Sequence, residues 1–337
     1  MGSNVDWLAL TVEAALEPDL PICDPHHHLW EFRTDQVEPR YLLDDVLADT
    51  NSGHNIVSTV FIECGAMYKA EGPEALRPVG ETEFVSGIAA MSESGQYGPT
   101  RIAAGIVGHA NLLLGDDVAP VLEAQIAAGG GRFRGIRHAV PWVASDEVPV
   151  TRGKKPPHLL MDDTYRAGFA HLARFGLSYE AWLYHPQIAE LTDLARAFPD
   201  TAIILNHFGG PIGVGPYAGH RDEIFKTWRD DIAELARCPN VVAKLGGLNM
   251  EINGFAWHQN PKPPASQELM EATRAWYDYT IERFGVERCL FESNFPVDKL
   301  SCGYGVLWNS FKRLTADYSD AEKAMLYHDN AARIYRL

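Results

Sequence analysis

Eight short apolar runs, each of strand length and each followed by a longer segment, constrain the fold of this chain more than any other feature. They lie at 20–24, 56–63, 101–107, 133–137, 177–183, 202–206, 240–245 and 288–292. Apolar character that is nearly continuous, rather than alternating, marks strands buried on both faces, as parallel sheets require. Amphipathic spacing predicts helices at 117–128, 187–198, 222–237 and 265–284, and a last one at 319–336. Alternating β and α elements imply an α/β protein with a parallel sheet, and eight repeats close naturally into a (β/α)8 TIM barrel. An open parallel sheet is the alternative. No linker or low-complexity tract divides the 337 residues, so 1–337 reads as a single domain.

Four stretches that follow strands are too long for simple connections: 29–55, 65–82, 139–162 and 246–264. Loops after strands emerge at the C-terminal face of a barrel, where such enzymes place their sites. They are expected to form lids or substrate walls, and 146–158, rich in Pro, Gly and charge, is expected to be mobile. The net charge of −16 argues against nucleic acid as a partner, because that affinity rests on clustered Lys and Arg. No apolar run approaches the ~18 residues of a membrane span. The five cysteines are scattered without a CxxC pair, which fits a reducing compartment and a cytoplasmic protein. The expected partner is a small molecule. A homo-oligomer is compatible with the sequence.

The chemistry begins at Pro21-Ile-Cys-Asp-Pro-His-His-His-Leu-Trp30. His26 and His28 are two residues apart at the end of the first strand, so on an extended chain both imidazoles share a face and His27 points away. Such a pair binds a metal or polarises a carbonyl. His207 ends the sixth strand, before a Gly-Gly-Pro that forces a turn. Arg137 ends the fourth, and its planar fork suits a carboxylate. Lys244, inside the seventh strand, is costly to bury unless it neutralises an acid or contacts substrate. Glu63 ends the second strand as a buried paired acid or as an orienter of a histidine. Among the aromatics near strand ends, Trp30, Trp142 and Tyr184 are candidates for substrate contact.

The segment Asp24-Pro-His26-His27-His28 resembles the D-x-H-x-H signature of the amidohydrolase superfamily. Further matches follow in order: Val60-Phe-Ile-Glu63-Cys, Gly135-Ile-Arg137-His, Leu205-Asn-His207-Phe-Gly-Gly-Pro211, Phe291-Glu-Ser-Asn294-Phe-Pro-Val-Asp298 and Asn330-Ala-Ala-Arg-Ile-Tyr335. Together they resemble the amidohydrolase-2 subgroup, in the branch of 2-pyrone-4,6-dicarboxylate and sugar-acid lactonases. The resemblance implies hydrolysis of a lactone or related ester-like bond in a small, carboxylate-bearing compound. It implies that His207 joins His26 and His28 around the carbonyl and that Arg137 pairs the substrate carboxylate. His185 stands near a position that is a ligand in metal-dependent relatives. His26, His28, His185 and His207 are therefore the expected set for a single divalent ion such as zinc. The superfamily usually has an aspartate on the eighth strand where this chain has Asn294, and an amide accepts no proton near neutrality. Asn294, Glu292 and Asp298 thus become the candidates for orienting water or taking its proton. Loss of that carboxylate favours a site with no essential metal. Two other readings stay open: a metal-dependent decarboxylase of aromatic or unsaturated acids, and a non-catalytic ligand-binding barrel.

Overall fold

The computed structural model describes residues 4–150, 153 and 155–337. Its strands are β1 (Pro21–His27), β2 (Asn55–Ile62), β3 (Arg101–Gly108), β4 (Phe133–Ile136), β5 (Ser178–Ala181), β6 (Ile203–Leu205), β7 (Val241–Leu245) and β8 (Cys289–Phe291). All eight form one sheet in sequence order, each parallel to the next. The two edges meet just beyond β8. There the His28 amide donates to the Phe295 carbonyl at 2.8 Å and the Asn294 amide donates to the His26 carbonyl at 2.9 Å. That seam makes the sheet a barrel and removes the open-sheet alternative. β1 and β3 are buried at every residue after the first, which is why their sequences run apolar without alternation.

The main helix after each strand is α1 (Leu43–Thr50), α2 (Val79–Glu93), α3 (Ala119–Ala128), α4 (Asp163–Phe175), α5 (Ile188–Ala197), α6 (Arg221–Leu235), α7 (Ser266–Phe284) and α8 (Tyr304–Leu314). Four match the sequence expectation within a few residues. The other four, α1, α2, α4 and α8, add to it. In α2 the buried positions include Gly80, Glu81 and Thr82, so its inner face is not an apolar stripe. α4 is set by its ends, not its middle. Asp162 accepts the Tyr165 amide at 2.9 Å, and Gly176 closes the helix in the left-handed region at φ 62°. The helix expected at 319–336 is broken by a π-turn at Met325–Asp329. The stretch expected to be mobile falls partly on residues 151, 152 and 154, outside the described residues.

Inside the barrel, Cys23, Val60, Ile62, Val107 and Leu290 pack with Tyr335 of the C-terminal segment. The five cysteines are buried and none is in a disulfide. No described helix is long and apolar enough to cross a membrane.

Candidate active site

The end of β1 is held by Asp24. Its carboxylate accepts the Ser293 amide at 3.0 Å, the Ser293 hydroxyl at 2.6 Å, the Tyr304 hydroxyl at 2.9 Å and the His26 amide at 3.3 Å. Beyond it, His26 and His28 share the inner face with ring centres 5.0 Å apart, while the His27 ring turns away to Thr59 at 2.9 Å. His28 Nδ1 lies 2.7 Å from the Ile62 carbonyl. A carbonyl only accepts, so Nδ1 carries the proton and Nε2 keeps its lone pair. Burial, reinforced by the Arg137 charge, holds the His28 pKa well below the usual range, so the ring is neutral. His26 is held down by burial too, then by Lys244.

At the end of β6 the backbone turns sharply, with His207 and Phe208 at φ 51° and 58°. Non-glycine residues in the left-handed region carry strain, which collects at functional sites. This turn brings His207 to 4.5 Å from His26 and 5.1 Å from Trp182, ring centre to ring centre. Gly247, at φ +74°, leaves the room: a Cβ there would stand 2.2 Å from His207 Nδ1.

Glu292 lies between the two imidazoles. One carboxylate oxygen is 2.6 Å from His26 Nδ1 and the other 2.6 Å from His207 Nδ1. Neither contact has the alignment of a hydrogen bond, and His207 Nδ1 and both Glu292 oxygens are buried without one. Lone pairs left unshared in a dry place suit a cation. The donor atoms of His26, His207 and Glu292 lie within 4.8 Å of one another, and two imidazoles with a carboxylate are a zinc-type set. A fixed cation is already close. Lys244 Nζ stands 4.0 Å from Glu292 and 3.5 Å from His26 Nδ1, anchored on Glu180 at 3.0 Å. Asn206 and Tyr335 complete the grip on Glu180.

Above these groups a cavity of about 100 Å³ opens. His28, His207, Arg137, Asn294, Trp30 and Trp182 are among the residues of its wall. Arg137 donates from Nε to Glu63 at 2.8 Å and from Nη2 to the Glu63 carbonyl, and its Nη1 lies 3.4 Å from His26 Nε2. Asn294, at φ 56°, donates its amide to Asp298 at 2.9 Å, which leaves its carbonyl oxygen for the cavity. Burial pushes the Asp298 carboxyl up to about 8.

The structure thus gathers His26, His28, His207, Glu292, Asn294, Asp298, Arg137 and Trp30 at one end of the barrel. Four other candidates lie apart from the cavity wall, each for a local reason. His185 accepts the Ile212 amide at 3.3 Å and meets Tyr217 edge-on at 5.5 Å, so it lies outside the His26–His207–Glu292 cluster. Tyr184 donates to the Pro149 carbonyl at 2.7 Å, and Trp142 packs against His158 at 6.0 Å. Lys244 is fully buried beneath the histidines, between Glu180 at 3.0 Å and Glu292 at 4.0 Å. The sequence marks Trp182 only as one of several aromatics near strand ends, and sequence reasoning did not single out Arg33, Glu180 or Gly247. Arg33 had one available signal, its place three residues past Trp30 in a long post-strand loop.

The family model described as amidohydrolase matches residues 23–337. An uncharacterized protein, y4mH, of Sinorhizobium fredii is 35% identical over 341 residues, covering 95% of this chain and 99% of its own. An L-fucono-1,5-lactonase of Burkholderia multivorans is 24% identical over 331 residues, 93% of this chain and 95% of its own. Among solved structures, an amidohydrolase from Burkholderia multivorans with bound zinc superposes with a TM-score of 0.70 at 22% identity. That match covers 94% of this chain and 99% of the other, and at such identity the likeness is one of fold.

Proposed function

The chain belongs to the amidohydrolase family, and from that premise we propose that it hydrolyses a lactone or related ester-like bond in a small carboxylic compound. The observation that carries the reading is Glu292 set between His26 and His207, at 2.6 Å from each, under a cavity walled by Arg137 and Asn294. The lactonase-named relative supports the choice of bond.

The carbonyl sits against the guanidinium of Arg137, whose fixed charge stabilises the oxygen as negative charge develops there. Asn294 accepts one hydrogen bond from the attacking water and orients it, but takes no proton. The proton goes to His207, which the Glu292 carboxylate favours as an imidazolium, as a carboxylate does behind other catalytic histidines. As water oxygen bonds to the carbonyl carbon and the ring C–O bond breaks, His207 returns that proton to the departing oxygen. Neutral His28 offers Nε2 as an acceptor to a substrate hydroxyl. A zinc ion, when bound, would be held by His26, His207 and Glu292 and would act as a Lewis acid. The reading places no essential metal there, because Lys244 already stands beside Glu292 as a counter-charge.

The test is turnover across a panel of small lactones and esters, followed by acid release. With a substrate in hand, His207→Ala should lower kcat by about 10²- to 10⁴-fold while the unfolding midpoint hardly moves. Near-normal kinetics in that variant would remove His207 from the reaction. Carbon dioxide from unsaturated acids, with no lactone turned over, would replace the reading with decarboxylation. Ligand-induced thermal shifts with no turnover would leave a binding barrel.

A further inference from the structure

The cavity wall carries two guanidinium groups, and only one of them can trade its carboxylate partner for a ligand's. Arg137 is 6% exposed, and all three of its nitrogens face protein atoms: Nε and Nη2 meet Glu63, and Nη1 meets His26. Its partner Glu63 is completely buried. Parting such a pair strands a charge in a dry interior, so Arg137 keeps Glu63 when a ligand arrives.

Arg33 is built differently. One Nη1 proton goes to the Cys64 carbonyl at 2.8 Å, and the guanidinium lies 5.2 Å over the Trp30 ring. These two contacts fix the group at the wall without neutralising it. Its other edge, Nε and Nη2, forks onto the two oxygens of Asp35 at 2.8 and 3.0 Å. That is the two-point geometry in which an arginine binds any carboxylate. Asp35 is 60% exposed, and exposed pairs of this kind contribute little, because water replaces the partner at once. The loop holding both residues is pinned at its base, where Trp30 and Tyr41 exchange backbone hydrogen bonds at 2.9 and 2.8 Å and the Arg33 amide donates to the Pro39 carbonyl at 2.9 Å. Asp35 can therefore swing off while Arg33 stays in place.

We infer that Arg33 reads a carboxylate on the substrate, and that Asp35 is a built-in stand-in which the substrate displaces. The site then prefers lactones that carry a free carboxylate beyond the ester over uncharged lactones. This rests on the lactone reading above for its catalytic arm only. An overall charge of −16 repels anions, so a local cation is what admits one.

A matched pair tests it: γ-butyrolactone, and the same ring bearing a carboxylate, 5-oxotetrahydrofuran-2-carboxylate, which opens to 2-hydroxyglutarate. Arg33→Met should lower kcat/KM for the carboxylated ring by roughly 10- to 100-fold, through KM, and leave the uncharged ring within about twofold. Asp35→Asn removes the internal competitor and should lower KM for the carboxylated ring by roughly two- to fivefold, with no change for the other. Equal effects on both rings, or a raised KM in Asp35→Asn, would overturn the assignment. Calorimetry with 2-hydroxyglutarate separates this idea from the catalytic one. Where neither ring is turned over but 2-hydroxyglutarate binds, more weakly to Arg33→Met and more tightly to Asp35→Asn, the carboxylate site stands and the lactonase reading falls. No binding of 2-hydroxyglutarate to the wild type sinks the inference itself.

Discussion

Asp24 and Glu292 are both fully buried carboxylates near the seam of β1 and β8, and the protein treats them in opposite ways. Asp24 accepts four hydrogen bonds, from Ser293 twice, Tyr304 and the His26 amide. Glu292 has two imidazole nitrogens at 2.6 Å, an ammonium at 4.0 Å and no aligned donor. Buried polar groups are almost always satisfied, so one that is not calls for a reason. A satisfied carboxylate has no lone pair left to act with, and Asp24 is a fastening that holds the first-strand histidines against the eighth strand. Glu292 keeps its capacity for something that arrives later: a proton on His207, or a cation. The difference teaches that burial alone does not mark a functional acid in this barrel; incomplete bonding does.

Exchanging each acid for its amide tests that contrast. Glu292→Gln should lower kcat by about 10²- to 10³-fold, since an amide no longer favours the imidazolium of His207, while the folded state survives. Steady-state kinetics beside a thermal melt measures both. Asp24→Asn should do the reverse. Its NH2 would face groups that are themselves donors, which costs about 2–4 kcal/mol of stability in a denaturant titration, and kcat per folded molecule should stay near the wild type. Were Asp24→Asn catalytically dead at full stability, or Glu292→Gln the unstable one, the two roles would have to be exchanged.

Which parts of this were legible in the sequence follows from what each depends on. Strands were legible because burial on both faces writes itself into consecutive residues, as in Ile56–Val57 and Val60–Ile62 of β2. The pairing of His26 with His28 followed from strand alternation, and His207 from the turn signal of Gly209–Gly210–Pro211. What escaped were relations between strands. That Glu292 falls between His26 and His207, that Glu180 and Lys244 meet, and that Gly247 makes room for an imidazole all depend on the stagger of β5 to β8, which no local pattern carries. Arg137 was legible as a strand-end cation, but its commitment to Glu63 was not. His185, Tyr184 and Trp142 had the right residue types near strand ends, yet the backbone beyond β4 and β5 directs them elsewhere.

A third acid extends the comparison. Burial pushes Asp298 up to about 8 from an ordinary 3.8, so the folded protein holds a proton that the unfolded chain has released. The sign follows: this contribution to stability is present in full below about pH 4 and is lost as pH rises towards 8, by at most about 1.4 kcal/mol per unit. Asp298→Asn has no such titration. Its stability relative to the wild type should therefore rise between pH 5 and pH 8 in paired denaturation curves. A gap that stays constant across that range would mean Asp298 is ionised throughout, with Asn294 and Asn249 outweighing its burial.

The smallest expected effect is that of metal removal, and it asks what completes Glu292. His26 lies between two cations, Arg137 Nη1 at 3.4 Å from one nitrogen and Lys244 Nζ at 3.5 Å from the other. A divalent ion on His26, His207 and Glu292 would share that low-dielectric space with both, and repulsion between like charges is strong there. The unshared lone pairs of Glu292 pull the other way. Because the ammonium is covalently fixed, it should win, and dialysis against a chelator should leave kcat within about twofold, in line with a site that needs no Lewis acid. Activity that vanishes on chelation and returns with stoichiometric zinc, measured with metal content on the same sample, would show that Lys244 does not suffice as the counter-charge. Glu292 would then be a metal ligand, and its contrast with Asp24 would be one of coordination rather than of proton transfer.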